Sequence, residues 1–314
     1  MVKWEKLQPG DVIDIIAPGY PTKPEIIEAG KIILQERGYI PRVPADILSP
    51  QFFHSNSDEA RFAQAKKALL AKDSKAIWCL RGGYGSNRLL PELAKIKKPN
   101  RAKIFIGISD VTSLHLFLNQ NWKWCTLHAT LLDRLAENRI DAVLAQEIFD
   151  IINGKKHEML FTGLKPLNAR AEKTKKHQAR IVGGNLTTLQ CSIGTPWALK
   201  TSGEFLFLED LGERGYRIDR MLVHLKQAGR LKNCEGILLG HFTGGDEPLS
   251  PEGTTSNRVH EALQRFADEN PNLPVWSGIE SGHGELLRTL PFGTPATIVQ
   301  KNGEISLNVE TGSR

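Results

Sequence analysis

Apolar residues in this chain fall into short continuous runs and longer stretches with a three-to-four-residue period. The short runs predict buried strands and the periodic stretches predict helices. Val12 to Ala17 is a short run ending in Pro18-Gly19, which reads as a strand followed by a turn. Pro24 to Arg37 carries the helical period, and Gly38 just past it is a stop signal. A short strand is expected near Tyr39 to Val43 and a helix over Asp58 to Ala71. The run Ala76 to Leu80 predicts a strand that feeds Arg81-Gly82-Gly83-Tyr84-Gly85. A helix begins near Asn87. Ile104 to Gly107 predicts the next strand, Asp110 to Asn119 the next helix, and Trp124 to His128 one more strand. Alternation of this kind argues for a parallel sheet with helices on both faces, and ligands gather at the carboxyl ends of such strands. Pro18-Gly19, Gly82 to Gly85 and Gly107-Ile108 all fall at expected strand ends.

From about Lys155 to Arg180 the pattern fades into a polar, lysine-rich stretch. It resumes with a strand at Arg180 to Val182, after which Gly183-Gly184-Asn185 is read as opening a helix. Strands are expected at Phe205 to Leu208, Ile237 to Leu239, Val275-Trp276, Ala296 to Val299 and Ile305 to Asn308. Helices are expected over Ile218 to Ala228 and about Ser256 to Glu269. The expected fold class is α/β. An N-terminal parallel-sheet domain spans residues 1–155, a linker 156–179, and a smaller C-terminal α/β domain 180–314.

Composition adds little to this picture. With 314 residues the chain suits two domains better than one. The formal net charge is +6, much of it in Lys95 to Lys103 and Lys173 to Arg180. Such runs read as solvated faces or as attraction for an acidic ligand. No aromatic residues interleave with them, which argues against a nucleic-acid groove. Cys79, Cys125, Cys191 and Cys234 are far apart and show no C-x-x-C spacing, so reduced core cysteines are expected and no structural zinc site. The N-terminus has no apolar stretch of a signal peptide, and no segment approaches the roughly 18 apolar residues of a membrane span. A soluble, cytoplasmic protein is expected.

Four segments carry candidate chemistry. In Ile106-Gly107-Ile108-Ser109-Asp110 the serine lies between a strand and a helix, where its hydroxyl faces the open end of the sheet. The N–H of Asp110 then belongs to a helix's first turn and is free to face an oxyanion. Read alone, Ser109 also fits a plain helix cap, and the segment is not G-x-S-x-G. The glycines of Arg81 to Gly85 let backbone approach a ligand, but G-G-x-G is not the dinucleotide fingerprint. Leu208-Glu209-Asp210 puts two carboxylates at a strand's end, suited to capping or to orienting an imidazole. Ser281-Gly282-His283-Gly284 sets a histidine between glycines after a strand, either a surface-loop residue or a base. His128 and His241 end strands and are candidates to line a site. A serine needs a neighbouring base near neutral pH, and that base needs an orienting group.

Taken together, these segments resemble the LD-carboxypeptidases, or muramoyltetrapeptide carboxypeptidases, whose relatives include the microcin-immunity peptidases. The resemblance rests on Arg81 to Gly85, Gly107-Ile108-Ser109-Asp110, Gly183-Gly184-Asn185-Leu186, Gly194-Thr195-Pro196-Trp197, Leu208-Glu209-Asp210, Tyr216 to Leu222 and Ser281-Gly282-His283, in the family's order over nearly the whole chain. It implies Ser109 as nucleophile, Glu209 as the orienting acid and His283 as general base. It also implies the N–H groups of Gly83 and Asp110 as oxyanion donors. It further implies an N-terminal domain carrying the serine, a C-terminal domain carrying the glutamate and histidine, a site between them, a homodimer, and neither metal nor cofactor. The implied reaction releases the terminal D-alanine of a muropeptide tetrapeptide. The alternatives are an amidase acting on an acyl-nucleotide peptide and an inactive protein that binds peptidoglycan fragments. Three positions depart from the family pattern: Ile108 stands where an aromatic is usual, Gly19 follows Pro18 where a serine is usual, and Ala129 replaces a glycine. They bear on pocket shape and leave every catalytic group in place.

Overall fold

In a computed structural model, which describes residues 1–245, 247–248, 255–256 and 258–313, the chain divides into two units. The first comprises Met1–His157, Arg288–Gly293 and Thr311–Arg314, and the second Glu158–Leu287 and Thr294–Glu310. Each has its own sheet.

The sheet of the first unit runs Leu290–Phe292, Thr126–His128, Ile104–Gly107, Ser74–Cys79, Val12–Ile16, Ile40–Arg42. All neighbours are parallel except Leu290–Phe292, which pairs antiparallel with Thr126–His128. The central strands are buried along nearly their whole length. That is why they read as continuous apolar runs: helices cover both faces of a parallel sheet. Three neighbouring strands, Ile104–Gly107, Ser74–Cys79 and Val12–Ile16, end in the three glycine-bearing turns, so those turns gather at one sheet end. The Tyr20 N–H donates to the Gly82 carbonyl at 2.8 Å, tying two of them together. The edge strand Leu290–Phe292 is absent from the sequence-based expectation. Three residues between Thr289 and Gly293 carry no period, and only pairing with a distant strand makes them a strand.

The sheet of the second unit has four parallel strands at its centre: Lys176–Asn185, Glu204–Leu211, Gly236–Thr243 and Val275–Gly282. Pro295–Lys301, Glu304–Glu310 and Glu158–Phe161 extend it antiparallel on one side, and Lys165–Pro166 on the other. Residues 156–179, expected as a linker, thus hold the strands Glu158–Phe161 and Lys165–Pro166, the helix Ala169–Glu172 and the start of a long strand. The lysines obscured an alternation: Met159 and Phe161 are fully buried, whereas Glu158 and Leu160 are exposed. Gly183-Gly184-Asn185 also differs from expectation. It continues the strand, with φ of 142° and 130° at the glycines, and the helix begins at Leu186. A Cβ on Gly183 would lie 2.0 Å from the Phe207 carbonyl oxygen, so the close strand approach requires glycine there. The late helix runs Val259–Asp268; residue 257, within the expected start of that helix, lies outside the described residues.

Cys79 and Cys125 are buried, Cys234 is half-buried and Cys191 is exposed, and all four are free thiols. Among the described residues no helix is long and apolar enough to cross a membrane.

Candidate active site

Ser109 occupies the corner between the strand Ile104–Gly107 and a helical stretch that begins as a 3-10 turn and continues through Thr112–Phe117. Ile108 is fully extended at φ −148°, and Ser109 turns to φ 71°. Such a left-handed serine costs on the order of 1–3 kcal/mol and persists only where its surroundings over-determine it. Strand, strained serine and helix are the parts of a nucleophile elbow, although the G-x-S-x-G sequence is absent. The corner is closely packed: a Cβ on Gly107 would come within 2.8 Å of Val111, and one on Gly82 within 3.1 Å of the Ser109 Cβ.

The glycine turn after Ser74–Cys79 is clamped onto this corner by Asp110. Its carboxylate accepts from the N–H of Gly85 at 3.2 Å and of Ser86 at 2.8 Å, and its carbonyl accepts from the Ser86 hydroxyl. Burial pushes the Asp110 carboxyl up, and the Ser86 and Gly85 donors and the Arg61 guanidinium pull it back. Arg61 braces the same loops. Fully buried, it donates to the Gly85 carbonyl at 3.0 Å and to the Pro18 carbonyl. Gly83, whose N–H the sequence marks for an oxyanion, has φ 93° and packs so close to Tyr20 that a Cβ would sit 2.3 Å from the ring.

In the second unit, Glu209 lies on Glu204–Leu211 with no exposed surface. Its Oε2 accepts from His283 Nδ1 at 2.6 Å and from the His283 backbone N–H at 3.2 Å. This pairing holds the proton on Nδ1 and leaves Nε2 as the basic nitrogen. Gly282 makes it possible. It has φ 110°, and a Cβ there would lie 2.8 Å from Glu209 Cβ and 3.0 Å from Oε2. On its other side, a Cβ on Gly284 would meet His241 Nδ1 at 2.2 Å, while Thr243 Oγ1 donates to the His283 carbonyl at 2.9 Å. The histidine loop is thus held from three directions.

Asp210 points the opposite way along the strand. It accepts from Asn185 Nδ2 at 2.9 Å, from the Thr187 N–H at 2.9 Å and from the Thr187 hydroxyl at 2.8 Å. Burial, and then the neighbouring Glu209 charge, push its carboxyl up. Of the two adjacent acids only Glu209 touches His283; Asp210 fastens the turn after the strand Lys176–Asn185.

The structure therefore brings Glu209 and His283 together in one unit and places Ser109, Asp110 and Gly83 around one corner of the other. Sequence reasoning missed Arg61, which looks like any helical arginine, and the strain at Ser109, which leaves no trace in residue type. His128, the strand-end histidine that the sequence also offers for the site, is fully buried, its ring 5.1 Å from Phe292 and 6.3 Å from His115. Among the described residues no cluster of three or more metal-ligating side chains occurs.

Comparison with known proteins bears on family and fold. The LD-carboxypeptidase N-terminal domain model matches residues 13–129, and the LD-carboxypeptidase C-terminal domain model matches residues 178–298. The chain is thus a serine peptidase with two α/β domains, and it belongs to the LD-carboxypeptidase family. A Rickettsia conorii protein with a provisional carboxypeptidase name is 38% identical over 248 residues, covering 79% of this chain and 75% of that protein. The muramoyltetrapeptide carboxypeptidase from Oxalobacter formigenes superposes with a TM-score of 0.80 at 28% identity, over 95% of this chain and 98% of that one. An MccF-like protein from Bacillus anthracis gives a TM-score of 0.82 at 21% identity, over 98% and 99% of the two chains, a likeness of fold alone.

Proposed function

We propose that this protein is an LD-carboxypeptidase that releases the terminal D-alanine from muropeptide tetrapeptides by acyl transfer through Ser109, His283 and Glu209. The observation that carries the reading is the 2.6 Å bond between the buried Glu209 and His283 Nδ1, which suits Nε2 to take a proton. Ser109 Oγ attacks the scissile carbonyl and its proton passes to His283 Nε2. The N–H groups of Gly83 and Asp110 hold the oxyanion. The C–N bond then breaks, and His283 returns the proton to the departing amine of D-alanine. Water, deprotonated by the same imidazole, releases the acyl group and restores the serine. The first unit supplies nucleophile and oxyanion donors, and the second supplies base and acid. A net charge of +6 suits substrates with several carboxylates. The enzyme works in the cytoplasm as a homodimer, with no metal or cofactor in the reaction.

The test is turnover on a purified tetrapeptide, followed by the D-alanine released, with and without a chelator. Release by the wild type, none by Ser109→Ala and no effect of chelator are expected. An acyl-nucleotide peptide in the same assay probes the amidase alternative. Cleavage of that compound with the tetrapeptide left intact would overturn the reading.

A further inference from the structure

A short turn beside the serine corner carries two costs that folding does not require. Gln51 and His54 bond to each other through both backbone groups, at 3.1 and 2.9 Å, which leaves Phe52 and Phe53 as the two corner residues of a tight hairpin turn. Phe52 has φ 51°. Turns of this kind take asparagine, aspartate or glycine, because a bulky side chain at positive φ is strained. Both rings also face water: Phe52 is 100% exposed and Phe53 61%. A turn that keeps both strain and exposed aromatic surface is spending them on something other than stability.

The turn adjoins the proposed nucleophile through a short series of contacts. Gly82 packs against Ser109, and its carbonyl accepts from the Tyr20 N–H. The Tyr20 ring covers Gly83 and lies 6.5 Å from Phe53, which in turn lies 6.5 Å from Phe52. Phe52, Phe53, His54 and Tyr84 line a cavity of about 390 Å³ together with polar residues that include Asp58 and Arg88, which pair at 2.7 Å. That volume lies in the range of small-ligand sites. A lining that mixes aromatic rings with polar and charged groups matches a pyranose ring, whose C–H face stacks on an aromatic face while its hydroxyl and acetamido groups hydrogen-bond nearby. Two phenylalanine side chains fall well short of the roughly 800 Å² per partner that a stable protein interface buries.

We propose that the Phe52–Phe53 turn is a stacking platform for the amino sugar of a muropeptide, so that the enzyme prefers tetrapeptides still attached to their sugar over free ones. The inference rests on the muropeptide reading above. Its test compares kcat and KM for D-alanine release from N-acetylmuramoyl-tetrapeptide and from the sugar-free tetrapeptide, in the wild type and in Phe52→Ala/Phe53→Ala. The expected result is a fall of about tenfold in the ratio of kcat/KM between the two substrates, carried by KM, as one lost stacking contact implies. Phe53→Trp should restore the ratio. An unchanged ratio overturns the proposal. So does a change in oligomeric state of the variant, measured by light scattering, with the sugar preference intact. Should the wild type release no alanine from either compound, the muropeptide reading fails. Binding of the N-acetylglucosamine–N-acetylmuramic acid disaccharide, followed by calorimetry, then judges the platform: weaker binding to the double variant supports it, and equal or no binding to both sinks it.

Discussion

Ser109 and His283 both stand at turns after strands, yet the two turns carry their strain on different residues. At the first, the proposed nucleophile itself takes the left-handed conformation, φ 71°, and its flanks are ordinary. At the second, glycine takes it: Gly282 has φ 110°, and His283 is fixed by its bond to Glu209. The difference follows from what each side chain must do. A serine hydroxyl has a single torsion, χ1, so the direction of its Cα–Cβ bond, set by the backbone, largely decides where it points. An imidazole has two torsions of its own and a second nitrogen through which a buried carboxylate can hold it. Strain falls on the serine itself in the one case and on a residue without a Cβ in the other.

The largest effects test whether each turn serves the same reaction. Ser109→Ala is expected to lower kcat on the order of 10⁵-fold, as loss of a nucleophile does. Ser109→Gly should be equally inactive yet more stable by about 1 kcal/mol, because glycine accepts the left-handed corner without strain. Thermal unfolding beside D-alanine release measures both, and a glycine variant no more stable than the wild type would show that the corner is unstrained. Glu209→Gln should lower kcat about 10⁴-fold by disturbing the imidazole's tautomer and charged form. Asp210→Asn should cost less than tenfold, its loss appearing mainly as stability of about 1–3 kcal/mol. The reverse order of the two acids would show that Asp210 orients the base.

A smaller effect separates the two uses of glycine. Gly282→Ala forces a Cβ against Glu209, and a displacement of about 1 Å in the pair should cut kcat roughly a hundredfold. Gly203→Ala is the control. Its φ is 74° and nothing lies within 4 Å of an added Cβ, so it should lose about 1 kcal/mol of stability with turnover unchanged. Equal kcat in the two variants would mean that the close approach at Gly282 does not hold the pair.

Two histidines differ in how far they are buried. His115, in the first unit, is fully buried, bonds the Gly107 carbonyl at 2.8 Å, and is lowered by burial to about 4. The unfolded chain takes up that proton near the ordinary value of about 6.5, so the unfolded state binds more protons between those limits. Stability from this group is fully present above about pH 6.5 and is lost as pH falls towards about 4, on the order of 3 kcal/mol in all. Asp110 and Asp133, raised by burial, act with the opposite sign at the acid end. His241, in the second unit, is only partly buried, and Glu209 and Glu280 pull its lowered value back up, so its slope should be shallower. Chemical denaturation across this range should show His115→Gln flattening the pH slope more than His241→Gln. Equal slopes for the wild type and His115→Gln would rule out the buried neutral imidazole.

Several elements could be read directly from residue pattern. The run Val12 to Ala17 holds the strand Val12–Ile16, buried from Ile13 onward, and Ile104–Gly107 is buried throughout, so their largely apolar character is itself the signal. The helices Pro24–Glu36 and Asp58–Leu70 fall where their period and flanking residues place them. The short segments that carry the family resemblance contain Ser109, Glu209 and His283, so the resemblance pointed to them. Illegible were the features made by contact between distant residues. Met159 and Phe161 sit in a lysine-rich stretch whose strand exists only through pairing with Glu304–Glu310. Leu290–Phe292 joins the first sheet from the far end of the chain.

What the sequence by itself determined is therefore the set of chemical groups, the alternation of strands and helices, and the placing of glycines at strand ends. The tertiary structure alone decided that Asp210 fastens the turn after Asn185, that Asp110 and Arg61 lock the glycine turn against the serine, and that Ser109 is the residue strained. The physical reason is one of range. Hydrophobic period and turn propensity act over a few residues, whereas a hydrogen bond across 74 residues, from His283 to Glu209, is selected only when packing removes water from both partners at once.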